Sequence, residues 1–152
     1  MVVSLRDVVD ALNILSDEHQ AFLNKRTGEI VFLTDEEIDA VEAEEPLEEY
    51  PEWQRELIQK AEEVLGSEDY EPLPDQFEIN EWRIMEQFCW TVKDEELRGL
   101  LLRAIRGRGA FRRFKDMIYR YGIEDEWYQY RDRALEEIAV RWLEARGIRC
   151  ER

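Results

Sequence analysis

Apolar residues recur every three to four positions along most of this chain and alternate in only one short stretch, so helices are expected to dominate. Leu5, Val8, Val9 and Leu12 fall at helical spacing behind Ser4, which reads as an N-cap with Asp7 three residues on. His19 to Asn24 and Glu29 to Leu33 read as two strands around Lys25-Arg26-Thr27-Gly28. Gly28 supplies the positive φ that a type I turn with a bulge requires, which predicts an antiparallel β-hairpin over 19–33. Thr34 and Glu37 form a capping box opening a short acidic helix with Ile38 and Val41. Residues 44–52 hold two prolines and read as a loop.

Trp53, Leu57, Ala61 and Val64 define a further helix that ends at Gly66. Pro72 and Pro74 keep 67–76 extended, because each excludes its predecessor from the helical region. From about Asn80 the apolar face broadens to Trp82, Ile84, Met85, Phe88, Cys89 and Val92, as in a central core helix. Asp94 caps the next helix, with Leu97, Leu100, Leu101, Ala104 and Ile105. Gly107-Arg108-Gly109 separates it from one with Phe111, Phe114 and Ile118 inward, stopped at Gly122. The last runs from about Glu124 to Arg146 with Trp127, Ala134, Leu135, Ile138 and Trp142 inward.

These elements predict an α+β fold, mainly α, with an N-terminal antiparallel β-hairpin and a C-terminal multi-helix bundle. Trp82, Phe88, Phe111, Phe114, Trp127 and Trp142 are the expected core of the bundle. At 152 residues a single domain, 1–152, is expected, with an acidic half at about 1–75 and a helical half at about 77–148. The extended 67–76 segment is the candidate hinge, although one core serving both halves is the expectation at this length.

Composition narrows the function classes. Charged residues reach 38%, against roughly 25% in ordinary domains. Five Trp, six Tyr and six Phe still argue for a packed core and against disorder. No apolar run approaches the roughly 20 residues of a membrane helix, and the first residues lack a signal peptide's basic start, so a cytoplasmic protein with no membrane partner is expected. A single histidine, His19, and two cysteines, Cys89 and Cys150, give no paired metal ligands and no redox motif, so no metal and no cofactor are expected. His19 is read as structural, Cys89 as a small buried hydrophobe and Cys150 as exposed. There is no G-x-S-x-G and no Walker A, and Arg112 stands where a G-x-G-x-x-G begun at Gly107 and Gly109 needs its third glycine. No catalytic residues can be named. A carboxylate- or Mg-dependent enzyme stays a remote alternative, since 37 Asp and Glu are present and no spacing selects among them.

The charge is unevenly spread. The net charge is −16, yet residues 1–75 hold 5 Lys/Arg against 22 Asp/Glu while 76–152 hold 16 against 15. Between 98 and 120, eight Lys/Arg face Asp116 alone. The Arg-rich interhelix segment, 103–115, is therefore the candidate site: Arg106, Gly107, Arg108, Gly109, Arg112, Arg113 and Lys115 lie at a helix start, where free backbone N–H groups and guanidinium forks suit a phosphate or carboxylate. Two readings stay open. The arginines pair with the chain's own carboxylates, such as Asp125, Asp132 or Glu136, or they bind a phosphate-bearing ligand or nucleic acid. Phe111 and Phe114 are expected to follow the core period, which weakens a single-strand stacking platform. The acidic half offers another class of function, docking a basic protein partner. The expected role is thus a small non-enzymatic binding protein, with the acidic docking module as the alternative.

Four strings carry a resemblance. Ala104-Ile105-Arg106-Gly107-Arg108-Gly109-Ala110-Phe111-Arg112-Arg113-Phe114-Lys115-Asp116 is the most specific; Trp127-Tyr128-Gln129-Tyr130-Arg131, Phe77-Glu78-Ile79-Asn80-Glu81-Trp82-Arg83-Ile84-Met85 and Lys25-Arg26-Thr27-Gly28-Glu29-Ile30-Val31 accompany it. Together they resemble a bacterial group catalogued as uncharacterised protein family 0158, most strongly from about 77 to 148. The resemblance implies a bacterial cytoplasmic protein and supplies no catalytic residues. Residues 44–72 match nothing in it.

Overall fold

The computed structural model describes Val2–Arg152. It is α-rich with a small share of strand. Packing gathers in two compact units, where chain length suggested one core: the described residues up to Gln76 together with Ala139–Arg152, and Phe77–Ile138 between them in sequence.

The first unit opens with β1 (Val2–Ser4) and α1 (Leu5–Asn13), whose start is capped as expected by Ser4 Oγ accepting from the Asp7 N–H at 3.2 Å. β2 (His19–Asn24) and β3 (Ile30–Thr34) form the antiparallel hairpin, with Phe22 opposite Val31. Its turn is held by Asn24 Oδ1, which accepts from Arg26 and Thr27, and by Gly28 at φ 80°. α2 (Asp35–Glu42), a short 3₁₀ turn (Leu47–Glu49) and α3 (Glu52–Leu65) follow. Thr34 caps α2, but the Glu37 carboxylate does not complete a reciprocal box; it is buried with Oε2 unpartnered.

The extended 67–76 segment supplies β4 (Tyr70–Pro72), which pairs with β2 and makes a three-stranded sheet in the order β3-β2-β4. Being central, β2 buries Ala21, Phe22, Leu23 and Asn24 in a row and loses the alternation of a half-solvated strand. Phe22, Leu33, Ala61 and Val64 pack as one cluster bordered by Val31, Ile38, Val41 and Tyr70. β5 (Arg149–Glu151) runs parallel beside β1, with Val3 opposite Cys150.

In the second unit, a short α4 (Gln76–Ile79) begins at the unit boundary and leads into α5 (Glu81–Thr91), capped by Asn80. α6 (Glu95–Ala104) is capped by Asp94, whose Oδ1 accepts from Glu96 and Leu97. α7 (Ala110–Arg120) and α8 (Glu124–Ala145) complete it, the last turns of α8 counting with the first unit. Its core is aromatic: Phe88, Phe114, Trp127 and Tyr130 meet with ring centroids 4.8 to 6.1 Å apart, mostly edge to face.

Two expected core residues are exposed instead. Trp82 is 42% exposed and spends its indole N–H on the Ile105 carbonyl at 2.7 Å. Phe111 is 46% exposed, because α7 buries Ala110, Phe114 and Ile118, a four-residue period that turns Phe111 outward. Phe88, Phe114 and Trp127 are buried in the second unit as expected, whereas Trp142 is buried in the first unit and not in the bundle core. No described helix is long and apolar enough to cross a membrane.

Candidate functional site

The Arg-rich segment folds as the end of α6, a glycine-hinged turn and the start of α7. Gly107 at φ 72° and Gly109 at φ 76° take left-handed conformations that a side chain would resist. Gly109 is the N-cap of α7 and carries no side chain to cap it, so the first N–H groups of that helix receive none.

Arg113 turns back across this turn. Its Nε donates to the Ala104 carbonyl at 2.9 Å, while Nη1 and Nη2 donate to the carbonyls of Arg108 and Arg106. A cation held against the last carbonyls of α6 also opposes the negative end of that helix's dipole. Arg113, itself exposed, is therefore tied down by backbone carbonyls and not by the carboxylates of the last helix, an arrangement that neither open reading foresaw.

The remaining cations behave differently. Arg106, Arg108, Arg112 and Lys115 are exposed and form no ion pair among the described residues. Arg103 bonds only the Gly99 carbonyl, one turn back on its own helix. Asp116 is the one acid among them, exposed on α7. The second unit as a whole holds 12 Lys/Arg against 13 Asp/Glu, so nearly all of the chain's negative charge lies on the first unit. Repulsion from the net −16 is thus concentrated away from this segment in sequence, and screening over roughly 8 Å limits what remains.

The aromatics beside these cations escaped the sequence pattern. Phe111, Tyr119 (56% exposed) and Tyr128 (44% exposed) all show their rings to solvent. The Tyr119 and Tyr128 hydroxyls lie 2.8 Å apart, and that hydrogen bond pushes Tyr119's ionisation above its ordinary value. The signal that finds Phe111 is the choice between a three- and a four-residue step on α7: counting from Ala110 places it outside the buried stripe.

The first unit holds a second feature. α1 and the hairpin enclose an open groove of about 440 Å³ lined by Asp7, Asp10, Ala11, Ile14, Gly28, Glu29, Ile30 and Phe32. Ile14 is 67% exposed there. On the rim, Asp10 pairs with Arg6, and Glu29 accepts from Tyr70 and Lys60, the Tyr70 hydroxyl above all holding its carboxyl below the usual range.

His19 sits exposed in β2 with Nδ1 on the Ser16 hydroxyl. Cys89 is buried, which pushes its thiol up to about 11 and leaves it a poor nucleophile.

A family model described as Uncharacterised protein family (UPF0158) matches residues 1–151. No curated protein and no solved structure matches the chain.

Proposed function

Taking as premise that the chain belongs to uncharacterised protein family 0158, whose description names no activity, we propose that it is a small non-enzymatic binding protein that contacts a phosphate-bearing polyanion through Arg106, Arg108, Arg112 and Lys115. One observation carries this reading: four exposed cations stay without an ion pair in a chain that has 37 carboxylates to offer. Clustered like charges repel one another, so leaving them unpaired costs stability that a bound anion restores. Guanidinium forks suit phosphate, and the uncapped start of α7 adds N–H donors beside them. The two free cysteines fit a reducing, cytoplasmic setting.

The test is binding of inorganic polyphosphate and of nucleic acid by the full chain at about 50 and 200 mM salt, against a variant with Arg106→Gln, Arg108→Gln, Arg112→Gln and Lys115→Gln. Each surface change of this kind is worth about 0.5 kcal/mol or less, and relief of the repulsion keeps the variant's melt no lower than the parent's. Salt-sensitive binding that the variant loses supports the reading. A chain that binds none of these polyanions, or a variant that binds as well as the parent, overturns it.

A second reading has the groove of the first unit behind it. An apolar floor with Asp7, Asp10 and Glu29 at its rim suits a basic amphipathic segment of a protein partner. A Lys- and Leu-rich helical probe peptide should bind more slowly as salt rises, and Ile14→Ser should weaken it. A probe indifferent to both changes removes this reading.

A further inference from the structure

Resting on the polyanion reading above, we propose that the polyanion is single-stranded nucleic acid, its bases stacked on Phe111 and Tyr119 and its phosphates held by Arg108, Arg112 and Lys115. The residues of α7 fall into a stripe that alternates in character. Phe111, Lys115 and Tyr119 recur every four residues, so each is the surface neighbour of the next along a line that drifts about 40° round the helix per step. All three are exposed, Phe111 by 46% and Tyr119 by 56%. At 1.5 Å per residue the two rings stand about 12 Å apart along the axis, several base steps of a strand rising ~3.4 Å each. Lys115 lies midway between them, and Arg112 follows Phe111 directly, about 100° round the helix.

The rings are what separates this ligand from other polyanions. Inorganic phosphate, polyphosphate and the outside of a duplex present charge alone and have no use for an exposed phenylalanine. A single strand offers base faces, which stack on aromatic rings regardless of sequence. The hydrogen bond between the Tyr119 and Tyr128 hydroxyls restrains the second ring before any ligand arrives, which lowers the entropy lost on stacking. Asp116, four residues beyond Arg112, is the opposing charge on that flank, and it forms no ion pair with Arg112.

The experiment is fluorescence anisotropy with the full chain and four probes: a 12-nucleotide deoxy strand, the ribo strand of the same sequence, the matching 12-base-pair duplex, and inorganic polyphosphate as competitor. The single strands should bind about tenfold or more tightly than the duplex, with log affinity falling against log salt at a slope of about −2 for three phosphate contacts. Phe111→Leu keeps an apolar side chain for the fold and removes the flat ring; it should weaken single-strand binding about tenfold and leave polyphosphate competition unchanged. Phe111→Trp should restore or strengthen binding, and Asp116→Asn should tighten every anionic probe. Preference for the ribo or the deoxy strand names the sugar while supporting the proposal. Equal binding of duplex and single strand, or full binding by Phe111→Leu, overturns the stacking proposal and leaves the polyanion reading standing. Absence of binding to all four probes overturns both.

Discussion

The Arg113 guanidinium closes the end of α6 by donating its Nε hydrogen to the Ala104 carbonyl at 2.9 Å, nine residues earlier in the chain. Two more carbonyls, of Arg106 and Arg108, complete the set. The neighbouring Arg112 has no such duty, so two adjacent arginines of one string divide into a structural and an available cation.

Arg113→Ala should therefore lower stability by about 1.5 kcal/mol, the low end of the range for hydrogen bonds made by a charged group because the side chain is exposed, while Arg112→Ala should stay within about 0.5 kcal/mol. Arg113→Lys should recover little, since a point charge on a flexible stem cannot reach three carbonyls at once. Urea melts of the three variants check this. Equal melts for the Arg113→Ala and Arg112→Ala variants would refute the division.

Gly109 couples to the same guanidinium. A Cβ built there meets Arg113 Nη1 at 3.0 Å, whereas one built at Gly107 meets nothing within 4 Å. Both positions have positive φ, so Gly107→Ala should cost about 1 kcal/mol from backbone strain alone and Gly109→Ala more. In an Arg113→Ala background the two glycine substitutions should converge. A double-mutant cycle with a coupling energy of at least 0.5 kcal/mol is the expected outcome.

Phe114 and Phe111 differ by three residues and should differ greatly in worth. Phe114 is fully buried and packs edge to face on Phe88 and Trp127. Phe114→Ala should cost about 3–5 kcal/mol, and Phe111→Ala about 1 kcal/mol or less, both read from equilibrium unfolding. Near-identical losses would return Phe111 to the core.

The two thiols should also separate. Burial pushes Cys89 from 9.0 to about 11, while Cys150 is only half-buried. At pH 8 a thiol reagent should modify Cys150 in the folded chain and Cys89 only on unfolding. Above pH 9 the unfolded chain releases the Cys89 proton and the folded chain keeps it. The stabilisation is thus full below pH 9 and is lost as pH rises from 9 to about 11, on the order of 2 kcal/mol at the top of that window. Cys89→Ala should flatten that part of the stability profile relative to the parent chain.

Much of this fold is legible in the order of the residues. The helices announced themselves by period and cap: Ser4, Thr34 and Asp94 each accept from the backbone of the helix they precede, and Asn80, where only the apolar face marked a start, does the same. The hairpin was marked by Gly28 between two apolar runs. The parallel pair of β1 and β5 was not, because three-residue strands are too short for alternation to register and their partners lie at opposite ends of the sequence. β4 was readable only as extended, since proline betrays the backbone's conformation and not its pairing.

At the candidate site the residue types were readable and their duties were not. An arginine that grips carbonyls and one that meets only solvent have the same letter, and only the turn at Gly107 and Gly109 brings the carbonyls of 104, 106 and 108 within reach of position 113. The outward turn of Phe111 rests on a similar ambiguity, whether α7 buries a three- or a four-residue step.

The pairing of Val3 with Cys150 sets an order of events during synthesis. Residues 77–138 are contiguous, so once they have cleared the ribosome their unit has all its parts and can fold without waiting. The other unit is completed only when its last stretch emerges. Until then β1 has no partner strand, and Val3, 2% exposed in the finished fold, has no β5 beside it. Helix α7 is thus assembled early, and the acidic unit that carries most of the chain's net charge is sealed last.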